Sequence, residues 1–162
     1  MRLQEEYTIK RDEREFSVGD TLDVKTSVIL AVIVFLAAQS DSFFHSTIIG
    51  WSLYLQYISV AALILAGIFA VLELWPRNYQ QEDSPLKYDE WMEKLRLHYS
   101  ESENVESDVL EQAILGRTQA ARERAESNIR VNNRKSALLQ AAFYFTVISL
   151  SANLATLAIH LF

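Results

Sequence analysis

The last 27 residues of the chain, 136–162, read SALLQAAFYFTVISLSANLATLAIHLF and contain no Asp, Glu, Lys or Arg. A helix of that length rises about 40 Å, which exceeds the bilayer hydrocarbon core of about 30 Å. Polar residues recur in it at steps of three, four, three and four, which places them on one face of a helix. These residues are Thr146, Ser149, Asn153, Thr156 and His160. The stretch therefore predicts a transmembrane helix with one polar stripe.

Composition limits the classes of protein to which the chain can belong. Its 162 residues suit one small domain, and half of them are hydrophobic. The net charge of −6 does not favour nucleic-acid binding, and the lack of cysteine excludes disulfides and thiolate metal sites. Four Gly and two Pro are too few for the many turns of a β-sandwich or β-barrel. We therefore predict an all-α protein with long helices.

Two further apolar runs precede the last one. The first, residues 26–38, is short for a span, but a helix over 20–39 has the required length of about 20 residues. The second, residues 51–75, has a Trp at each end, as expected at the two membrane surfaces. A cleaved signal peptide is the alternative for the first run, but the preceding residues carry more acids than bases, unlike a short basic n-region. The prediction is an integral membrane protein with three transmembrane helices, over 20–39, 51–75 and 136–162, and an external loop at 40–50.

The remaining residues are polar and divide into an N-terminal arm over 1–19 and a long insertion over 76–135. The arm contains RLQEEYTIKRDEREF, which has too few apolar positions for a core and is interpreted as a solvated or interfacial helix. In the insertion, Ser84-Pro85 is typical of a helix start, with a capping hydroxyl and a proline at the first helical position. A break is expected over 99–104, followed by a second helix. No helix breaker separates Arg117 from the last span, so one helix is expected to continue from the insertion into the membrane.

The distribution of basic residues predicts the topology. Five Lys or Arg lie in residues 1–25, ten in 76–135, and none in the 40–50 loop or at the C-terminal end. The positive-inside rule therefore places the N-terminus and the insertion in the cytoplasm and the C-terminus outside. A soluble helical bundle is the alternative, but uninterrupted apolar runs of 25 and 27 residues argue against it.

The sequence offers no motif for catalysis. His45, His98 and His160 lie far apart, and none has a partner at metal-ligand spacing. A P-loop, a GxGxxG motif and a GxSxG motif are all lacking. We therefore expect no catalytic residue, no metal and no cofactor, and we do not expect an enzyme.

Two features of the last helix each have two interpretations. The polar stripe either joins helices by hydrogen bonds or lines a pore after oligomerisation. A basic cluster before the span either anchors the chain at the cytoplasmic surface or contacts an anionic lipid or a phosphate-bearing signal. The cluster consists of Arg117, Arg122, Arg124, Arg130, Arg134 and Lys135.

Three short motifs resemble those of a known family. The entry to the first span, GDTLDVKTSVILAVIVFLA, contains the pattern D-x-K-x-S-x-x-L at Asp23, Lys25, Ser27 and Leu30. The second span ends in ELWPR at residues 73–77, and NNRKSALLQAAFYF leads into the last one. This layout resembles the Pycsar transmembrane effector family and the related SLATT-type membrane effectors, from about residue 15 to residue 162.

The resemblance implies a role in bacterial antiphage defence at the inner membrane. A cyclase or nucleotidyltransferase makes a nucleotide second messenger on infection, and the effector then oligomerises or opens and impairs the membrane. The chain has no room for a cyclic-nucleotide-binding β-roll. A sensor would therefore lie in the 76–135 region, in the N-terminal arm or in a separate partner protein.

Three hypotheses follow. The first is a membrane-disrupting effector, a homo-oligomer activated by a cyclic nucleotide or a defence-system partner. The second is a non-toxic membrane anchor or scaffold that docks a cytosolic enzyme. The third is a small constitutive ion channel, against which no ring of charged side chains is evident inside a span.

Overall fold

A computed structural model of the chain describes residues 2–44, 50–76, 79–80 and 84–161. These residues form four α-helices and no strand, which confirms the all-α prediction for the part of the chain that is described. The helices are α1 (Arg2–Phe44), α2 (Trp51–Leu74), α3 (Pro85–His98) and α4 (Val105–Leu161).

The chain divides into two compact units. The polar unit consists of Met1–Val18 and Asn78–Val131, and the apolar unit consists of Gly19–Arg77 and Asn132–Phe162. Helices α1 and α4 each contribute residues to both units, whereas α2 belongs to the apolar unit and α3 to the polar unit.

Helix α1 begins and ends beyond the expected limits of 20–39. It starts at Arg2 and continues to Phe44, so the N-terminal arm and the first span belong to one helix of 43 residues. The expected helix start near Asp20 is therefore wrong. This helix contains no Pro and a single Gly, Gly19. One Gly in a helix interior costs about 1 kcal/mol, which weakens a helix of this length without ending it.

The helix starts in the polar unit lie where the sequence predicts them. Ser84 has extended backbone angles, and its carbonyl accepts hydrogen bonds from the amides of Lys87 and Tyr88. Pro85 opens α3, as expected, but the Ser84 hydroxyl makes no capping hydrogen bond, so that part of the prediction is wrong. Turns follow over residues 99–104, and α4 begins at Val105.

Helix α4 is continuous over 57 residues, which confirms the prediction that no break precedes the last span. It contains no Pro, and its single Gly, Gly116, does not interrupt it. Acidic residues Glu106 and Asp108 occupy its first turn, where they complement the positive end of the helix dipole.

The apolar unit has a hydrophobic core to which all three of its helices contribute. Buried side chains come from α1 (Ile33 and Leu36), from α2 (Leu63, Ala66 and Ala70) and from α4 (Ala142). Phe69 of α2 stacks on Phe145 of α4, with ring centroids 5.7 Å apart. Alanines at the contact let helices approach closely, as is usual between membrane helices.

Three helices are long and apolar enough to cross a membrane. Their apolar windows lie within Glu6–Gln39, Trp51–Leu74 and Val105–Ile159, with mean hydropathies of 2.0, 2.3 and 1.6. Large side chains such as Ile64, Ile68 and Leu154 are exposed on their outer faces. A surface of this kind suits contact with lipid.

Candidate functional site

The polar stripe of α4 faces the interior of the apolar unit. Ser149 is fully buried, and Asn153 is half-buried. Both meet Ser59 of α2, whose Oγ lies 2.8 Å from Ser149 Oγ and 3.0 Å from Asn153 Oδ1. The Ser59 hydroxyl also lies 3.2 Å from the Ser149 carbonyl oxygen. One hydroxyl proton therefore has three acceptors available on α4.

The rest of the stripe is satisfied within its own helix. Thr146 and Thr156 are buried, and their hydroxyls donate to the carbonyls of Ala142 and Ala152, at 2.8 and 2.9 Å. The side chain of His160 lies outside the described residues. Only Ser149 and Asn153 thus make side-chain hydrogen bonds to another helix among the stripe residues that are described.

Helix α2 presents a polar face that the sequence analysis missed. Ser52, Gln56 and Ser59 are buried, at spacings of four and three. The Ser52 hydroxyl and both amide atoms of Gln56 have no hydrogen-bond partner in the described part of the chain. The signal was present, since polar residues at helical spacing inside an apolar run indicate a face turned away from lipid.

A cluster of charged and polar groups lies at the other end of the apolar unit, and we call it the charged cluster: Asp23 and Thr26 of α1, Glu73 of α2 and Lys135 of α4. Lys135 forms an ion pair with Asp23, and its side chain is only 4% exposed. Glu73 is completely buried and interacts electrostatically with both of them. Thr26 is also completely buried, and its hydroxyl donates to the Leu22 carbonyl.

The family-like motif at the start of the first span divides between two environments. Asp23 belongs to the charged cluster, whereas Lys25 and Ser27 are exposed. The Ser27 hydroxyl donates to the Asp23 carbonyl within α1. Leu30, the last residue of the motif, packs against the core of the apolar unit, so the two ends of the motif take part in contacts between helices.

The six basic residues of α4 do not form one surface. Arg124 pairs with Asp12 of α1 at 3.0 Å and is largely buried, while Arg122 pairs with Glu126 on the exposed side of its own helix. Lys135 is buried in the charged cluster. Arg117, Arg130 and Arg134 are exposed. A ligand on the outside of α4 could therefore reach four of the six residues, of which Arg130 and Arg134 lie one turn apart.

The polar unit is held together by specific contacts. Asn128 is buried, and its side chain exchanges two hydrogen bonds with the backbone of Gln80, at 3.1 and 3.3 Å. Phe16 of α1 packs edge-on against Tyr79.

Within the described residues, no group of three or more His, Cys, Asp or Glu side chains could hold a metal ion.

Three membrane-length helices around a buried polar interior define an α-helical membrane protein. A family model described as the Pycsar effector protein domain matches residues 17–162, and the chain belongs to this family. The match confirms the resemblance to Pycsar effectors, and membership implies a role as an effector in phage defence. Neither the comparison with curated proteins nor the comparison with solved structures found a match.

Proposed function

We propose that the protein is a membrane effector that impairs the bacterial inner membrane when a nucleotide signal or a partner protein activates it. The observation that carries the proposal is the buried polar interior of the apolar unit. Ser59, Gln56, Ser149 and Glu73 are buried among three membrane-length helices. A passive anchor does not need Gln56 and Glu73, which have no hydrogen-bond partner among the described residues, and polar residues inside membrane segments usually mark function.

Activation of this kind requires Ser59 and Ser149 to change partners. Ser59 and Ser149 bond to each other within one protomer, so they are not available to water in this arrangement. We propose that activation repacks the helices and that several copies then turn these polar faces toward a shared aqueous path. Continuity of α4 from the polar unit to the end of the last span supports transmission of a signal along that helix.

A non-toxic anchor or scaffold is the second candidate. It is favoured by the fact that the stripe residues Ser149, Thr146 and Thr156 are satisfied within the protomer. A helix-joining role needs nothing more than this. The two candidates differ in whether the protein, with its activator, ever makes a membrane permeable.

The test replaces the interhelical part of the stripe by leucine. With the activating cyclase or partner expressed, the wild type should depolarise the membrane of the host cell. The double variant Ser149→Leu/Asn153→Leu should insert normally and should not depolarise it, because the only side-chain bonds from the described stripe to α2 are lost.

A matched control is available on the same helix. Ser151 is exposed, so Ser151→Leu changes the same kind of side chain without touching α2 and should leave depolarisation intact. Undiminished toxicity of the double variant would show that the stripe is not the active face. Absence of any leak from the activated wild type would favour the scaffold.

A further inference from the structure

Glu73 is an ionisable group in the interior of the apolar unit. It lies in the last turn of α2, and its side chain is 0% exposed. Neither of its carboxyl oxygens has a hydrogen-bond partner among the described residues. An ionised carboxylate in such surroundings is strongly disfavoured unless a cation or several donors meet it.

The described charged groups around Glu73 do not balance. Asp23 faces it from α1 and Lys135 from α4, and among the described residues these are the two charged side chains that act on it electrostatically. Arg77, which the sequence places one turn after Glu73, lies outside the described residues. Lys135 already forms an ion pair with Asp23. With both carboxylates ionised, two negative charges and one positive charge leave the cluster at −1. Asp20, Lys25 and Arg134 are nearby in sequence, but they are exposed.

Burial, and not the remaining neighbour, favours a neutral acid. Thr26 is fully buried, and its hydroxyl donates to the Leu22 carbonyl at 3.0 Å. Rotation of that hydroxyl toward Glu73 would stabilise the carboxylate, so Thr26 does not favour the neutral form. The complete burial of Glu73 is the larger effect, and it penalises the charged form.

We propose that Glu73 is a proton-binding site, and that Asp23, Lys135 and Glu73 together hold one exchangeable proton. The proton comes from water and bonds to one carboxyl oxygen of Glu73, which makes the cluster neutral. When the proton leaves, the negative charge on Glu73 must be stabilised by water that enters the cluster or by Lys135. In the second case Lys135 breaks its ion pair with Asp23. The site is separate from the α4 stripe, and the inference does not rest on the proposed function.

Infrared spectroscopy tests the proposal, because it detects the protonation state of a carboxyl group. The full chain is placed in lipid nanodiscs, and infrared spectra are recorded from neutral to alkaline pH. The wild type should show the carbonyl stretch of a protonated carboxyl group at neutral pH, and this band should fall at alkaline pH. Glu73→Gln should lack the band, whereas the control Glu93→Gln, which changes an exposed residue of α3, should retain it.

Two further variants keep the test decisive if Glu73→Gln does not fold. Glu73→Asp keeps a carboxyl group and should shift the band in frequency. Asp23→Asn removes the competing carboxylate, so Lys135 becomes available to Glu73 and the neutral-pH band should weaken. A wild-type spectrum without the band at neutral pH would overturn the proposal. A band that neither Glu73→Gln nor Glu73→Asp changes would also overturn the proposal. A band that Asp23→Asn leaves unchanged would contradict the part of the proposal in which Asp23, Lys135 and Glu73 share the proton.

Discussion

Ser59 of α2 makes more hydrogen-bonding contacts to α4 than any described residue of the α4 stripe makes to α2. Its single hydroxyl lies within hydrogen-bonding distance of Ser149 Oγ, the Ser149 carbonyl and Asn153 Oδ1. Hydrogen bonds between membrane helices average about 0.6 kcal/mol and reach about 1.7 kcal/mol. Because these contacts share the one Ser59 hydroxyl group, their energies do not add.

We predict that Ser59→Ala lowers the free energy of unfolding of the apolar unit by about 0.6 to 1.7 kcal/mol. The reason is the loss of the one hydroxyl group that makes all three contacts. Reversible unfolding in mixed micelles measures the change. Ser151→Ala provides the control, because Ser151 is exposed on α4, and a loss of equal size in both variants would contradict the assignment.

The contact between α3 and α4 depends on a glycine. A Cβ at Gly116 would lie 2.8 Å from two carbons of the Trp91 ring, closer than side chains normally approach. Alanine in place of glycine would add about 1 kcal/mol of helix propensity to α4, whereas overpacking typically costs about 1–3 kcal/mol. Whether Gly116→Ala stabilises or destabilises the protein therefore depends on the contact with the Trp91 ring.

We predict that Gly116→Ala displaces Trp91, which changes the tryptophan emission, and destabilises the polar unit by up to about 2 kcal/mol. In the Trp91→Ala background the same substitution should instead stabilise α4, since only the propensity gain remains. Thermal unfolding of the four proteins measures both effects. The same sign in both backgrounds would show that Gly116 is not held by this contact.

At the scale of the whole molecule, the distribution of charge should set the orientation in the membrane. Ten of the fifteen Lys and Arg residues lie in residues 76–135, and none lies in the 40–50 loop. Long helices and apolar outer faces are compatible with either orientation. The basic residues distinguish the two, because they are retained on the cytoplasmic side.

We predict that single cysteines will report this orientation, since the chain contains none of its own. Trp51→Cys and Ser100→Cys change exposed positions in α2 and in the turn before α4. A membrane-impermeant maleimide should label the first in intact cells and the second only after permeabilisation. The reverse pattern would mean that the positive-inside rule does not hold for this chain.

Local sequence signals predict some of the helices of this protein but not all of their limits. The start of α3 at Pro85 and the continuity of α4 are readable from local signals, namely a proline and the lack of breakers. The N-terminal arm is expected to be helical, but its union with the first span in one helix is not predicted, because the span is expected to begin near Asp20. The buried polar face of α2 is readable from local signals, because Ser52, Gln56 and Ser59 recur at helical spacing in an apolar run.

The sequence alone determined that the chain is helical and that three of its segments suit a membrane, because length and hydropathy are properties of each segment by itself. Its motifs also indicated the family. Only the tertiary structure decided that Ser59 meets Ser149 and that Glu73 shares its surroundings with Asp23 and Lys135. The physical reason is that such contacts depend on how each helix is rotated and which helix lies beside it. No residue spacing within a single helix contains that information.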